Sequence, residues 1–240
     1  MPKKVLELPK IANPTIESIL RQYLDDCAAS KKAGKATREE AIDLFIHSLN
    51  GYAYQSLSKE ETKLFEHYFE MEDDEHKEFC EIFGADKIVE NIGEFVGYFL
   101  IRKVMSSATF LGKTAKEIEQ LCYWLEKNKF VSSEEAREGA SRAAAAAKLL
   151  PRSEKAAQLL CAAAQEYYDI AKIVEEGTMD ITKVSSDSIW LCPLGGKEVG
   201  PIFLPKKITD LLEVGWDINC ALAKHRGKWL IVEVGNIYPR

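Results

Sequence analysis

Asp73-Asp74-Glu75-His76 places an aspartate three residues before a histidine, a spacing with which one helix face can offer a carboxylate and an imidazole to a metal. A di-iron bundle needs such a motif twice, with two further carboxylates projecting from apolar helices. His47, His67 and His225 supply no second copy, and the acidic run around His76 reads as a solvated face. Gly195-Gly196-Lys197 begins like a phosphate loop, but Leu191 stands where the pattern needs glycine and Glu198 where it needs a hydroxyl. It reads as a turn between strands. Cysteines 27, 80, 122, 161, 192 and 220 form no C-x-x-C pair, so metal-ligand spacing is missing. They read as reduced thiols that pack as small hydrophobes. No dinucleotide fingerprint, nucleophile elbow or H-E-x-x-H occurs. The expectation is a non-catalytic protein with no metal and no cofactor.

Binding chemistry is better represented. Lys224-His225-Arg226-Gly227-Lys228 interrupts two alternating runs: Ile218, Cys220 and Leu222 before it, and Leu230, Val232 and Val234 after it. Joining the runs antiparallel requires a reversal, and Gly227 tolerates the positive φ that a tight turn demands. Three fixed charges and one titratable ring then meet at an exposed hairpin end beside Trp229, a flat surface for stacking. Trp190, Phe203, Trp216, Trp229 and Tyr238 crowd into about 50 residues. A small barrel can hardly bury all five, so one or two should face a partner. The expected partner-binding set is Trp216, Lys224, His225, Arg226, Lys228 and Trp229.

A second basic region competes with it. Between Arg102 and Lys155 the net charge is +4, and Arg102, Lys103, Lys113, Lys116, Lys127 and Lys129 cluster early, where they could meet phosphates. Glu66 to Glu94 carries a net of −9, and the whole chain −6, which argues against a coat-like cationic protein.

These side chains need elements to hold them. Residues 13–176 read as a helical domain. Asn13-Pro14 opens it, with Asn as cap and Pro at the first helical position. Thr37 with Glu40, Ser58 with Glu61, Thr114 with Glu117 and Ser132 with Glu135 each spell a capping box. Apolar residues step by three and four at Ile42, Phe45, Leu49 and Tyr52, and again at Ile88, Ile92, Phe95 and Phe99. Ala136, Ala140, Ala143, Ala147 and Leu150 form one stripe; Ala156, Leu160, Ala163, Tyr167, Ile170 and Val174 form another. Pro151 is expected to separate them into two helices packed antiparallel at close range. Residues 177–188 read as a linker. Residues 189–240 read as a small antiparallel β-barrel or sheet, with strands at 189–194, 201–204, 217–223 and 228–235. The fold class is therefore α+β. The start of the chain lacks a signal peptide's apolar region, and no run approaches the ~20 residues that span a bilayer. A cytoplasmic protein without a membrane partner is expected.

Residues 15–49 resemble the SAM-like core-binding domain of tyrosine recombinases: an amphipathic helix, a basic Gly-containing loop and a second helix. That resemblance implies a bundle that grips DNA. No recombinase catalytic domain follows, so strand transfer does not carry over. Residues 97–132 look like an uncharacterised group of prokaryotic helical proteins, and residues 114–131 have the rhythm of the last helix of a helix-turn-helix domain. The capped helix beginning at Ser132, in place of a β-wing, favours a helical hairpin. The C-terminal segment is similar in size and strand rhythm to Src-homology-like small barrels, which bind peptides or nucleic acid. The reading is an interaction or adaptor protein that recognises a protein partner through its small β domain. The alternative is a DNA- or RNA-binding regulator using the basic helical surface.

Overall fold

Thr15, not Asn13, caps the first helix: its side chain accepts from the Ser18 amide. The computed structural model describes residues 10–30, 34–167 and 172–240. The expected start at Met1 and the stripe position Ile170 lie outside them. By its internal contacts the chain divides into two units, Met1–Phe95 with Thr114–Ala144, and Val96–Lys113 with Ala145–Arg240.

The first unit is helical. It contains α1 (Ile16–Ala29), α2 (Lys35–Tyr52), α3 (Lys59–Phe69) and the short α4 (Phe79–Ile82), α5 (Ala85–Glu90) and α6 (Ile92–Glu94). Ile16, Leu20, Ile42, Phe45, Phe79 and Ile88 are buried, so the three-and-four spacing of the sequence does form a core. Ser58 and Glu61 make the expected capping box of α3. Thr37 does not cap, because α2 begins at Lys35 behind Gly34. Charge also enters this core. Arg38 donates to Glu117 at 2.7 Å, and the Tyr23 hydroxyl donates to the same carboxylate. Burial and that neighbouring carboxylate push the Tyr23 phenol far above its ordinary range.

After the π-helical turn Phe95–Phe99 and α7 (Leu100–Lys103), two long helices follow: α8 (Ala108–Lys127) and α9 (Ser133–Ala164). Ser132 and Glu135 form the expected box at the start of α9. Thr114 is an interior residue of α8 whose buried hydroxyl finds no partner among the described residues; Ser107 accepts from the Phe110 amide instead. Pro151 does not end a helix either. α9 runs through it, so the two stripes belong to one helix and not to an antiparallel pair, and at about 100° per residue they fall on opposite sides of it. The proline ring removes the donor that the Ala147 carbonyl would use. In the first unit Gly139 meets Ile92, Cys122 and Val89; in the second, Gly112 lies against Pro151 and Ala147.

The second unit holds a barrel. β1 (Ile173–Val184), β2 (Ser188–Pro193), β3 (Val199–Phe203), α10 (Lys206–Thr209), β4 (Asp217–His225) and β5 (Lys228–Tyr238) close in the order β1-β2-β3-β5-β4. Neighbours are antiparallel except β3 and β5, which touch in parallel at Ile202 and Trp229. The stretch expected as linker is corrected by this pairing: residues 177–184 are the second part of β1. Met179 and Ile181 alternate into the core, and β1 serves both β4 and β2. The helical domain likewise stops short of residue 176, since α9 ends at Ala164 and β1 begins at Ile173. Ala156, Leu160 and Ala164 of α9 and Ile208 of α10 pack with Met179, Ile189, Leu191 and Leu222 in one core. The last turns of α9 therefore belong with the barrel, which answers the marginal size of about 55 residues for a lone β domain.

Candidate functional site

His225 and Lys228 are register partners, so the basic tip is a two-residue hairpin with Arg226 and Gly227 at its centre. Their φ values are 50° and 79°. Positive φ at both positions matches the right-handed strand twist. Glycine takes it freely, whereas Arg226 does so at a cost of about 1–2 kcal/mol. Lys224, Arg226 and Lys228 are exposed, as expected, while His225 and Trp229 are half-buried.

Register then sets cations over rings. Lys224 pairs with Trp229 across the hairpin, and its Nζ stands 4.4 Å from the ring centroid. Because Ile202 pairs with Trp229, β3 brings the next residue, Phe203, close to the tip. Lys228 Nζ is 6.0 Å from the Phe203 centroid, and Phe203 is 55 % exposed. On β1, Lys183 pairs with Trp190 of β2, and its Nζ sits 4.3 Å from that ring. Trp190 lies against the backbone of Gly200, where an added Cβ would come within 2.5 Å of the indole. Ion pairs in this unit include Arg152–Glu213, Lys206–Asp210 and Arg240–Asp217. Lys183, Lys224, Arg226 and Lys228 carry their charge without a carboxylate partner among the described residues. The three lysine–aromatic pairs fall on adjoining strands, with Arg226 at the apex of the tip: Trp190 and Phe203 alternate with the core residues Ile189, Leu191 and Ile202, whereas Trp229 packs partly against the core.

Trp216 leaves the expected set. It is 1 % exposed, packed in the barrel core, with the Arg152 guanidinium 5.1 Å from its ring. Its place at the entry of β4 turns it inward, so it has no surface to offer. The set gains Lys183, Trp190 and Phe203. The two aromatics belong to the cluster visible in sequence; Lys183 was hidden in the supposed linker.

The competing basic residues are not gathered in one unit. Arg102, Lys103 and Lys113 fall in the second unit, and Lys116, Lys127 and Lys129 in the first; all six are exposed. His76 Nδ1 lies 2.8 Å from the Phe69 carbonyl oxygen, a local contact within the acidic turn. Four thiols are buried, and loss of water pushes Cys122 and Cys220 up to about 12, out of reach of thiolate chemistry at neutral pH. Cys161 is exposed, against expectation, and Cys192 is half-buried. Among the described residues no helix is long and apolar enough to cross a membrane. The chain matches no family model and no curated protein.

Proposed function

We propose that the barrel is a non-catalytic recognition module whose ligand is single-stranded nucleic acid. The strand would lie across β2 and β3 and against the β4–β5 tip. The observation that carries this reading is the repeated pairing of an uncompensated lysine with an aromatic ring: Lys183 with Trp190, Lys224 with Trp229, Lys228 with Phe203. Phosphates take the cations and unpaired bases take the rings, and base–aromatic stacking is worth about 1–3 kcal/mol per base. An acidic protein partner would use the charges but would leave the rings without a role. A duplex keeps its base faces stacked and would use the charges alone. Five-stranded Greek-key barrels bind oligonucleotides and oligosaccharides on the strand 2–3 face, between the loops joining strands 1–2 and 4–5. Here those loops are residues 185–187 and the Arg226-Gly227 tip. This likeness is one of architecture and supports the reading without replacing the residues that carry it.

Nucleic acid held by Arg102, Lys103, Lys113, Lys116, Lys127 and Lys129 is the second reading, and it rests on their exposed charge. The test is fluorescence anisotropy with a labelled thymidine or uridine oligonucleotide, a duplex of equal length and a polyglutamate peptide. The reading expects the single strands to bind tightest. Binding of polyglutamate in preference to any oligonucleotide would replace it with an acidic protein partner, and equal binding of the duplex would remove the role given to the rings.

A further inference from the structure

A second feature of the barrel unit lies away from the basic tip, where β4 begins and β5 ends. A cleft of about 580 Å³ there has Tyr98, Arg102, Thr178, Asn219, Tyr238 and the Asp217–Arg240 pair in its lining. Its volume falls within the range of small-ligand sites, roughly 300–1,000 Å³. We infer that this cleft binds a planar aromatic group carrying a phosphate, the chemistry of a nucleoside monophosphate.

The aromatic part of the inference comes from Tyr98 and Tyr238. Their rings are nearly parallel, 13° apart, with centroids separated by 6.2 Å. Tyr98 is 40 % exposed, so the stack is open to solvent at the cleft. It is presented by the π-helical turn Phe95–Phe99, a widened turn that recurs at functional sites because it re-aims a side chain. Gly97, in the same turn, leaves open space: a Cβ there would meet nothing within 4 Å.

The charge comes from Arg102. Arg240 and Asp217 pair with each other, and Arg102 has no carboxylate partner among the described residues. Its planar fork suits a phosphate better than a point charge would. The polar edge comes from three groups. The Asn219 amide donates to the Thr178 hydroxyl at 3.3 Å, which leaves the hydroxyl hydrogen and the second amide hydrogen available. The Tyr238 hydroxyl accepts from Asn236 at 3.3 Å and keeps its own hydrogen to donate. Rings for a base, a guanidinium for a phosphate and donors for a base edge meet in one cleft.

The ligand has two sources, a free nucleotide or one nucleotide of a longer bound strand. Titration calorimetry with adenosine monophosphate, adenosine, ribose 5-phosphate and inorganic phosphate addresses the first. The monophosphate should bind at least tenfold tighter than either ringless probe. Tyr98→Ala should weaken it about tenfold, the loss of one stacking partner. Arg102→Gln should weaken the monophosphate and leave adenosine unchanged. The variant lacking the tip charges (Lys224, Arg226 and Lys228 to Ala) should keep this binding, which separates failure of the cleft from failure of the barrel-face reading. If the monophosphate does not bind but Tyr98→Ala weakens an oligonucleotide, the cleft serves a nucleotide of a bound strand. If the monophosphate fails at millimolar concentration and Tyr98→Ala leaves the oligonucleotide affinity unchanged, the inference is wrong. Tyr98 is solvent-facing, so unchanged melting is expected and will show that losses are not unfolding.

Discussion

Replacing Lys224, Arg226 and Lys228 together by Ala separates a ligand-binding tip from an ordinary solvated turn. The three side chains are exposed and have no ion-pair partner among the described residues, so the fold should lose no more than about 1–2 kcal/mol, the worth of the two cation–aromatic pairs removed. Each phosphate neutralised on a single strand contributes about −0.7 to the slope of log affinity against log salt. With Lys183, Lys224, Arg226 and Lys228 each meeting one phosphate, the parent slope should be near ~−2.8, and affinity should fall about 50-fold between ~50 and ~200 mM salt. The triple variant retains Lys183 alone. Its slope should be near ~−0.7, a loss of about threefold across the same range. Anisotropy titrations of a labelled thymidine oligonucleotide at four salt concentrations measure both slopes. Equal slopes in parent and variant would show that the tip meets no phosphate. Equal affinities as well would leave it an ordinary turn.

Phe203→Ala should lower single-strand affinity by about 1–3 kcal/mol, with little change in salt slope, because it removes a stacking surface and no charge. Equal loss for duplex and single strand would count against base stacking. In α2, Gly51→Ala enters open space and should raise stability by about 0.5–1 kcal/mol. In α8, Gly112→Ala places a methyl 2.8 Å from Pro151 Cγ and 3.2 Å from the Ala147 carbonyl oxygen, and should destabilise by about 1–3 kcal/mol. Chemical denaturation measures both; a stabilising Gly112→Ala would mean that α9 does not approach as described. Glu61 is a pH-sensitive group: burial opposes its charge, but hydrogen bonds from Lys87 and Ser58 prevail and bring it from 4.5 down to about 2. Since the folded state holds the carboxylate more acidic than the unfolded chain does, its stabilisation is complete above about pH 4.5 and fades as the pH falls towards 2. Urea midpoints across that window should fall less steeply in Glu61→Gln than in the parent.

Short-range pattern carried much of the fold, and its failures share a cause. The expected strands at 189–194, 201–204, 217–223 and 228–235 overlap β2 to β5, because alternation is a property of neighbouring residues. Ser58 and Ser132 cap as their sequence spells. Thr37 and Thr114 spell the same box yet sit inside helices, since a hydroxyl and a carboxylate three residues apart also share a face mid-helix. The box marks a start only where the preceding residue has left the helix. Pro151 shows the converse: a local breaker was overruled, and the helix continues into a segment that buries Ala156 and Leu160 in the barrel. Gly177 and the serines near 185 gave residues 177–184 the look of a linker, although Met179 and Ile181 already alternated there.

The candidate site was legible only so far as it is local. The hairpin tip needed one glycine between two alternating runs, and its position followed. Which tryptophan is fully buried did not, because only barrel closure encloses Trp216 completely while leaving Trp229 half-buried against the same core. Lys183 over Trp190 requires the register of β1 on β2, and Phe203 beside Lys228 requires the parallel contact of β3 with β5. Neither register is encoded within a short window. Yet each puts a cation over a ring where no carboxylate competes, and alternation alone would leave a lysine free to point into water. Cation–aromatic attraction at an exposed site is worth only about 0.5–1 kcal/mol per pair. Three such pairs therefore add little to folding, and an incoming strand can separate each lysine from its ring at small cost, turning the cation to phosphate and the ring to a base.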